Sequence, residues 1–502
     1  MSTLGEILRD LSENAPMTNK EIAIQQMNDF KASTKYKWMK LGQEYYRNKT
    51  KIIDHKRMVI GEGGSLQEAT NLANNKLVHG FIRKLVDQKT GYLLSKPFSI
   101  QTDGPDEYKD ALHDLFGKKF QRQLKNTGKE AINNGIGWIQ VYYDEQGNLS
   151  FKIIPSTECV PLWKDNDHTE LYAMVRFYKQ ERYEALKKVE VTIIEFWDTE
   201  GVMRFVYDGI QTKVRLADGE RENHFVVINK GLDDKGAETL VEKGMNWEKV
   251  PFIPFKYNDE EMPLVEMLKS LVDDYDSRFS DNSNNLEDLP NSIFVVKNYD
   301  GADLGEMRRN MTQYRSVKVS GDGGVDTLSL EINTEAFTTH MDRLRKAIYE
   351  FGRGVDTQAD KFGNSPSGIA LRFLYSDLDM DANIIETEFQ ASLEQLLWFV
   401  DQHLYNTTGA DYSDIDVTFL FNRDIVINET EAINNVKSSW GILSEETNIA
   451  NHPWTTEVQE EMDRKEKEQK AAMENFSSGQ FAFGQDQNGG DDNGEEGQGG
   501  GE

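Results

Sequence analysis

Cysteine is almost absent from this chain of 502 residues, in which Cys159 stands alone. A lone cysteine excludes a disulfide bond within the chain and any cysteine-based metal cluster, and it fits a reducing compartment. Because Cys159 lies in the apolar, strand-like run 158–163, we predict a structural role for it rather than thiol catalysis. No apolar run reaches the roughly 18 residues that a membrane-spanning helix needs, and the N-terminus lacks a signal sequence. We therefore expect neither a membrane protein nor secretion by the signal-peptide route.

Positive charge is scarce as well, since 57 lysines and arginines face 86 aspartates and glutamates and leave a formal net charge of −29. This balance argues against a protein that coats nucleic acid or an anionic membrane through its overall charge. It is compatible with a protein that lets DNA pass without holding it, because extensive neutralisation of phosphates releases counterions and anchors DNA strongly.

The sequence also lacks the common motifs of catalysis. There is no phosphate-binding loop of the form GxxxxGK[ST], and the nearest fragment, 127–130, lacks both the upstream glycine and the hydroxyl that would hold Mg²⁺. The eight histidines form no HxH or HExxH pair. We interpret the glycine-rich segment 320–324 as a tight turn between two strands. These patterns predict neither an active site nor a cofactor.

Three aspartates at alternate positions form the most tempting metal site, namely Asp377, Asp379 and Asp381. On a helix, residues two apart point about 200° apart, so Asp379 cannot join the other two in one chelating set. Asp377 and Asp381 could share an ion, but a solvated or intersubunit face explains them better.

Two helices of similar length dominate the middle of the chain and bracket a small β module. The outgoing helix is predicted from Pro263, which suits a first helical turn, to about Asn284, and the returning helix from about Asn333 to Gly352. Each has one apolar stripe with three- and four-residue spacing: Leu264, Leu268, Leu271, Tyr275 and Phe279 in the first, and Phe337, Met341, Leu344, Ile348 and Phe351 in the second. Both would span ~30 Å, which predicts an out-and-back pair with the β module at its far tip.

The remaining faces of this pair are charged, through Asp273, Asp274, Asp276, Arg278, Asp342, Arg343, Arg345 and Lys346. An isolated pair with such narrow apolar stripes would be marginally stable. Packing beside the same pair of neighbouring subunits would cover the stripes, which favours a ring. An ordinary helical hairpin inside a monomeric core is the alternative.

A connector and a very long helix follow. The connector, 353–367, is longer than most loops in compact folds, and such loops are commonly functional or disordered. It ends in Ser365 and Pro366, a helix cap followed by a proline suited to the first turn. Apolar residues then keep a helical period to about Thr407, which predicts a helix ~55 Å long that crosses a large assembly.

Helices are predicted before this region. Residues 1–60 should form polar helices, one of them starting at 18–21, and the basic and aromatic run 35–51 suits a nucleic acid, a subunit contact or a solvated face. A helix over 74–97 would contain His79 as a packed or surface residue, since no second histidine or partnering acid lies at ligand spacing from it. A second helix over 107–133 carries the densest basic patch, which would meet phosphate or, as we favour, an acidic neighbour: Lys118, Lys119, Arg122, Lys125 and Lys129.

Strands are predicted where apolar residues alternate, which gives a β-rich domain between 136 and 258. The tip module is predicted to hold strands at 293–296, 317–319 and 325–332 and a short helix near 304–311. After the long helix we expect a strand at 415–421 that rejoins the β domain, helices at 429–440 and 455–476, and a disordered tail from Gly484 that is rich in glycine and acidic residues.

Several of these segments resemble the portal proteins of tailed bacteriophages, in particular the family found in long-tailed phages of Gram-positive hosts. The similar segments are Tyr45-Tyr46 with the basic residues after them, 74–97, 153–160, 251–260, 273–281, 295–301 and 319–328. They keep the order of the family over about 40–425, and the overall length agrees.

The resemblance implies an α+β ring subunit, dodecameric in the family, with a wing, a two-helix stem, a small α/β clip, a long connecting helix and a helical crown. On this sequence it implies an N-terminal helical segment (1–60), a wing of helices and then strands (61–262), stem helices (263–290 and 333–352), a clip (291–332), a tunnel loop (353–367), the long helix (368–407), a wing strand (408–427), crown helices (428–483) and an acidic tail (484–502).

For function, the resemblance implies a non-enzymatic channel at one capsid vertex, through which double-stranded DNA is packaged and ejected. The tunnel-loop residues that should line the channel are Asp356, Gln358, Asp360, Lys361 and Asn364. The clip should meet the terminase ATPase and later the head-completion adaptor through Lys297, Asn298, Tyr299, Arg308, Arg309 and Lys318.

Major capsid and scaffolding proteins are further expected partners, and the expected location is the virion, after assembly in the host cytoplasm. Two alternatives stay open from the residues alone. One is a metal-dependent nucleic-acid-processing enzyme that uses the aspartates near 377–381, and the other is a structural or scaffolding virion protein without a channel.

Overall fold

A computed structural model describes residues 18–60, 64–70, 72–184, 187–207, 214–216, 221–232, 238–288, 292–299, 303, 305–307, 313–314, 319–329, 334–357, 368–423, 429–455 and 458–479. The chain divides into two compact units, one made of 1–363 and 373–425 and the other of 364–372 and 426–502. Its mixture of helices and antiparallel strands confirms the α+β class.

The first unit begins with helices α1 (Asn19–Ala32) and α2 (Thr34–Tyr46). Thr18 and Glu21 form a capping box at the start of α1, which confirms the predicted helix start. A hairpin of β1 (Met58–Ile60) and β2 (Leu66–Glu68) follows, and the next helix, α3, spans Phe81–Leu94. The prediction that this helix begins near residue 74 is wrong, because the described residues of 72–80 form no regular secondary structure.

A short strand, β3 (Ser99–Thr102), precedes two helices where one was predicted. The prediction over 107–133 is wrong because α4 (Asp106–Leu115) ends before Gly117, which caps α5 (Lys118–Asn134) in an extended conformation. A second glycine, Gly135, closes α5 with a left-handed φ of 84°. A Cβ there would lie 1.9 Å from the carbonyl oxygen of Glu261, so the close approach requires glycine.

The described residues of the predicted β-rich region form three antiparallel sheets. In the first, β4 (Ile136–Tyr143) lies between β5 (Leu149–Ile154) and β13 (Phe252–Lys256). The second follows chain order through β6 (Cys159–Trp163), β7 (Leu171–Glu184), β8 (Lys187–Asp198), β9 (Gly201–Tyr207) and β10 (Val214–Leu216). The third is a hairpin of β11 (Phe225–Leu232) and β12 (Glu238–Met245).

The outgoing and returning helices are α6 (Leu264–Asp288) and α7 (Thr334–Phe351), close to their predicted bounds. Between them, β14 (Ser292–Tyr299) pairs antiparallel with β15 (Val319–Ser329). The interpretation of 320–324 as a tight turn is wrong, because the cross-strand pairing includes Gly324 opposite Lys297 and β15 runs unbroken through the segment. Within the predicted short helix at 304–311, residues 305–307 are described and are helical.

The long helix, α8, spans Gly368–Thr408 and confirms the predicted helix. The strand after it, β16 (Val417–Leu420), pairs with β3 and not with the β-rich region, which corrects the expectation that it rejoins that domain. The ring of Phe419 explains this position, because it packs edge-on against Phe98 and Phe116, 5.7 and 5.6 Å between centroids. The larger apolar core joins α3–α8 to the β4–β5–β13 sheet, and a second core lies between α1 and the sheet formed by β6–β10.

The second unit contains α9 (Glu429–Ser439), α10 (Glu445–Ala450) and α11 (Val458–Gly479). The first and last agree with predicted helices, whereas α10 was not predicted. Ser444 caps α10 by accepting a hydrogen bond from the Thr447 amide. The Lys465 ammonium pairs with Glu445 and lies 4.5 Å from the centroid of the Trp440 ring, so it ties α11 to both neighbours. The tail predicted from Gly484 lies outside the described residues.

Candidate functional site

The apolar stripes of α6 and α7 are largely covered within one subunit. Leu264 and Leu268 of α6 and Met341, Leu344 and Ile348 of α7 are buried in the larger core. The two helices are antiparallel, since Phe279 lies 6.4 Å from Phe337 near the tip while Leu268 meets Gly352 at the other end. Much of the cover that was expected from neighbouring subunits is therefore supplied within the subunit, because α3 and α8 contribute to the same core.

The opposite face of α6 is polar but not solvated. Asp276, Ser280 and Asn284 recur every four residues, and all three are buried. Their side chains accept hydrogen bonds from the backbone amides of His79, Leu77 and Asn75, at 2.9, 3.0 and 2.6 Å. We call residues 75–79 the strap and these three bonds the ladder. The charged face of α6 therefore holds a segment of the same chain at Asp276.

The ladder works because two repeats coincide. Four residues of α-helix advance about 6 Å, and two residues of extended chain advance about 6.6 Å. Alternate amides of an extended chain point to the same side, so amides two apart can meet side chains four apart on the helix. This also explains why the strap is not helical, since the amides of Asn75, Leu77 and His79 are bonded to α6 instead of to carbonyls one turn earlier.

Asp276 is the centre of this contact, with no exposed side-chain surface. Besides the His79 amide, it accepts hydrogen bonds from the hydroxyl of Thr50 at 2.7 Å and lies 2.9 Å from Nδ1 of His79. The His79 ring packs edge-on against Tyr275 and Phe279. The prediction of a packed histidine is confirmed, and its acidic partner, Asp276, lies 197 residues away in the chain, beyond the reach of any local spacing rule.

The first residues of the connector after α7 are fixed to the body of the subunit. Arg345 donates two hydrogen bonds of 2.7 Å to the carboxylate of Asp356. Gln88 both accepts from the amide of Val355 and donates to its carbonyl, at 3.0 and 3.1 Å. Arg353 has a left-handed φ of 46°, and its carbonyl accepts from the Lys89 ammonium at 3.3 Å. We call residues 353–357 the loop base.

Beneath the loop base lies a buried ion pair. The ammonium of Lys89 is 2.6 Å from Asp381 of α8, and the hydroxyl of Tyr257 donates to the same carboxylate at 3.1 Å. Arg353 approaches it at 3.6 Å. Burial lowers the pKa of Lys89, and the charge of Asp381 opposes this, while burial raises the pKa of the Tyr257 hydroxyl. The expectation of a solvated or intersubunit face is wrong for Asp381, because it neutralises a buried lysine.

Asp379 points elsewhere, as the helical geometry predicted. It accepts hydrogen bonds from the hydroxyl of Tyr92 and from Arg423, which also pairs with Glu386. Within the ranges that the structure describes, no group of three or more histidine, cysteine, aspartate or glutamate side chains is arranged to hold a metal ion. Asp377, Asp379 and Asp381 thus do not form a common site.

The basic and aromatic run after residue 35 makes contacts within the subunit. Lys35 pairs with Glu261, Tyr45 donates to Asp273 at 2.6 Å and Tyr46 donates to Asp87 at 2.8 Å. Burial of the Tyr45 hydroxyl and its bond to Asp273 raise its pKa. These side chains link α2 to α3 and α6, a role that sequence analysis did not consider.

Glu261 lies where the β-rich region passes into α6, and it is buried with a left-handed φ of 53°. Its carboxylate pairs with Lys35 and with Nδ1 of His168, the latter at 2.7 Å. Burial alone would raise the pKa of Glu261, but the hydrogen bond with His168 and the charge of Lys35 lower it to about 2. The ring of His168 is stacked on Trp163, which holds it in place.

The predicted contact residues fall into two groups. Asp356 lies in the loop base, and Lys297 lies on β14, where its ammonium is 3.3 Å from Asp326 of β15. Asn298 and Tyr299 belong to the same strand, with an irregularity of register between residues 297 and 299. The others lie outside the described residues, namely Gln358, Asp360, Lys361, Asn364, Arg308, Arg309 and Lys318.

Cys159 is buried, and burial raises the pKa of its thiol well above the ordinary value, as suits the predicted structural role. Among the described helices, none is both long enough and apolar enough to cross a lipid bilayer.

Comparison with known proteins identifies the family. The family model described as "Phage portal protein, SPP1 Gp6-like" matches residues 31–475. The portal protein of Bacillus phage SPP1 is 30% identical over 432 residues, which are 85% of this chain and 82% of that protein. The portal protein of Clostridium phage phiCD119 is 28% identical over 433 residues, which are 83% and 89% of the two chains.

A solved structure, "Neck of native GTA particle computed with C12 symmetry", contains a chain that matches with 11% identity and a TM-score of 0.39, over 76% of this chain and 91% of that chain. A similarity this remote carries no argument about assembly.

The sequence matches confirm the predicted resemblance and rule out the alternative of a metal-dependent enzyme, because they cover most of the chain and the family is structural. The chain belongs to the phage portal protein family of the SPP1 Gp6-like type, non-enzymatic proteins of the virion that serve DNA packaging and ejection at the capsid vertex.

Proposed function

We propose that copies of this chain close into a ring around a channel for double-stranded DNA, with twelve subunits as the number to test first. In this proposal α6 and α7 are the stem, 291–332 is the clip, 353–367 is the tunnel loop, α8 connects wing to crown, and 428–483 is the crown. The observation that carries it is the antiparallel pair α6–α7, which joins the β14–β15 ribbon at one end to the loop base at the other.

Charge supports a channel that does not retain DNA. The chain carries a net charge of −29, so a wall built from it repels the phosphate backbone and keeps DNA mobile. Asp356 is held by Arg345 on its own subunit. Transient contacts with DNA are therefore assigned to the residues beyond the loop base, with Gln358, Lys361 and Asn364 as the expected donors.

The test of this assignment is a deletion of 358–364, which leaves the Arg345–Asp356 pair in place. We expect negative-stain images to show intact rings and a packaging assay to show loss of nuclease-protected DNA. A matched control replaces 358–364 with a Gly-Ser segment of equal length, which separates the chemistry of the loop from its length. Normal packaging by the deletion variant would refute the role of the loop, and a wild-type protein without annular particles would refute the ring.

For the clip, we propose contacts first with the terminase ATPase and then with the head-completion adaptor. Four cations are predicted to take part in this contact, namely Lys297, Arg308, Arg309 and Lys318. Of these, Lys297 lies among the described residues, where it is exposed on the ribbon. The variant Lys297→Glu should weaken terminase binding on the order of tenfold, measured by titration of purified rings. Lys179→Glu, a similarly exposed reversal on β7, is the control, and equal effects of both variants would refute a clip-specific contact. Major capsid and scaffolding proteins are the further partners proposed at the vertex.

A further inference from the structure

One flank of α8 borders an acidic groove. A cavity of about 470 Å³ lies between the segment after β13, the first turns of α6 and the middle of α8. Its charged lining residues are four carboxylates and one guanidinium, namely Asp259, Glu260, Asp381, Glu388 and Arg353, and Met267 and Ile384 supply apolar surface that is 37% and 38% exposed. Burial raises the pKa of Glu388, and the charges of Asp259, Glu261 and Glu260 add to this although Lys256 opposes them. Asp381 is paired with Lys89 and Arg353, so the remaining carboxylates leave the groove with a surplus of negative charge, which Lys256, 4.0 Å from Asp259, balances only in part.

A basic groove lies elsewhere on the same unit. A cavity of about 230 Å³ is floored by Leu94, Phe98 and Phe421. Its cations are Lys96, Lys118, Arg122 and Lys125. Over the part of the chain that the structure describes, Lys118, Arg122 and Lys125 form no ion pair with a carboxylate. Lys118, Arg122 and Lys125 therefore carry positive charge that the described carboxylates leave uncompensated.

The acidic groove lies on one flank of α8, and the basic groove is linked to the opposite flank through Arg423. Ile384, Thr387 and Glu388 line the acidic groove. Asp379 and Glu386 face the other way, toward Arg423, whose carbonyl accepts from Lys96 of the basic groove. With 3.6 residues per turn, Glu386 is about 160–200° from Ile384 and Glu388 around the helix axis. Met380, one turn before Ile384 and so on the same flank, presents a side chain that is 52% exposed.

We propose that the acidic groove of one subunit receives the basic groove of the next copy of the same chain, so that neighbours meet head to tail across α8. This inference rests on the ring proposed above and assigns the faces that form it. A two-fold arrangement would set acid against acid, which costs free energy, whereas a head-to-tail contact pairs opposite charges at every interface. Such an interface closes into a ring when its rotation divides a full turn.

The experiment uses two full-length variants. The first, Glu260→Lys with Glu388→Lys, has two basic flanks, and the second, Lys118→Glu with Arg122→Glu, has two acidic flanks. Each alone should fail to form rings at concentrations at least about tenfold above the wild-type threshold, because every interface becomes repulsive. Mixed in equal amounts, they should assemble, because alternating copies restore opposite charges at each contact. Particle mass is measured by mass photometry at about 0.15 M salt, where charges are partly screened.

Two control measurements keep the outcomes distinct. Circular dichroism of each variant reports whether the fold is retained, and the pair Lys179→Glu and Glu181→Lys on β7 reports the effect of charge reversal away from α8. Rings from the mixture but from neither variant alone support the proposal. Rings from either variant alone, or none from a mixture of two folded variants, overturn these faces while leaving the ring itself standing. A wild-type protein that forms no rings overturns both the ring and this inference.

Discussion

The ladder between α6 and the strap makes a quantitative prediction at Asp276. Its buried carboxylate accepts hydrogen bonds from the Thr50 hydroxyl and the His79 amide, and it also lies next to the His79 ring. The variant Asp276→Ala leaves these donors without their acceptor and opens space beside α6. A hydrogen bond to a charged group contributes about 1.5–3 kcal/mol, and a stranded buried donor costs about 1–3 kcal/mol. Because these terms overlap, we expect a loss of about 3–5 kcal/mol in the free energy of unfolding.

The other hydrogen bonds of the ladder give a comparison for this loss of stability. Ser280→Ala removes one neutral acceptor, from the Leu77 amide, and should cost about 1–2 kcal/mol. Asp276→Asn keeps the side-chain volume and one acceptor oxygen, so its loss of stability should lie between those of Asp276→Ala and Ser280→Ala. Asp281, exposed on the same helix, is the matched control, and its replacement by alanine should change stability by less than about 0.5 kcal/mol.

Urea unfolding measures these differences, and hydrogen exchange of the peptide 72–80 locates them. Exchange of the strap amides should accelerate about tenfold in Ser280→Ala and at least about a hundredfold in Asp276→Ala, since 1.4 kcal/mol corresponds to a factor of ten. If Asp276→Ala loses less than about 1 kcal/mol and the strap exchanges as in the wild type, the ladder does not hold the strap.

Three further predictions concern buried charges. Lys89→Met leaves Asp381 buried without its partner and should lower the free energy of unfolding in urea by about 3–5 kcal/mol. Adding Asp381→Leu in the same chain should recover most of this loss. Equal losses in the single and the double variant would contradict the pairing. The lowered pKa of Glu261, about 2 against an ordinary 4.5, stabilises the fold above pH 4.5, and this stabilisation is lost as the pH falls toward 2. Thermal melts of Glu261→Gln should therefore lack that part of the acid transition, and an unchanged profile would refute the assignment. Burial raises the pKa of Asp401 to about 6, so its ionisation destabilises the fold as the pH rises from 3.8 through 6. Asp401→Asn should gain about 1 kcal/mol at pH 8, after allowance for solvent screening, and nothing near pH 3, as melts at both pH values can check.

Helix positions could be predicted because apolar side chains repeat along α6, α7 and α8 whatever covers them. The partners of the polar residues could not be predicted from the sequence. Asp276, Ser280 and Asn284 repeat every four residues, as do side chains on a solvated face, and nothing local distinguishes a strap from water. The strap itself contains Leu77 and follows a helical apolar pattern, so the periodicity predicted a helix that its bonded amides prevent.

The same limit applies to the site residues. Asp381 and Lys89 are 292 positions apart, and no spacing rule relates them. The resemblance implied that Asp356 is a channel residue of the tunnel loop, but its partner Arg345 lies on the preceding helix, so the first part of the connector belongs to the folded body. The resemblance to portal proteins identified the family because it rests on several ordered segments, which a single motif could not provide.

The unequal repeats of helix and strap also limit how α6 can move. Each rung accumulates a mismatch of about 0.6 Å, so only a few rungs fit. The shortest side chain, Ser280, occupies the middle, and the longer Asp276 and Asn284 take up the error at the two ends. The ladder therefore fixes the register between α6 and the strap, and the next position at which a helix side chain meets a strap amide lies about 6 Å away, one full rung along α6. Any smaller displacement of α6 along its axis must therefore move the strap, and with it the start of α3, in the same direction.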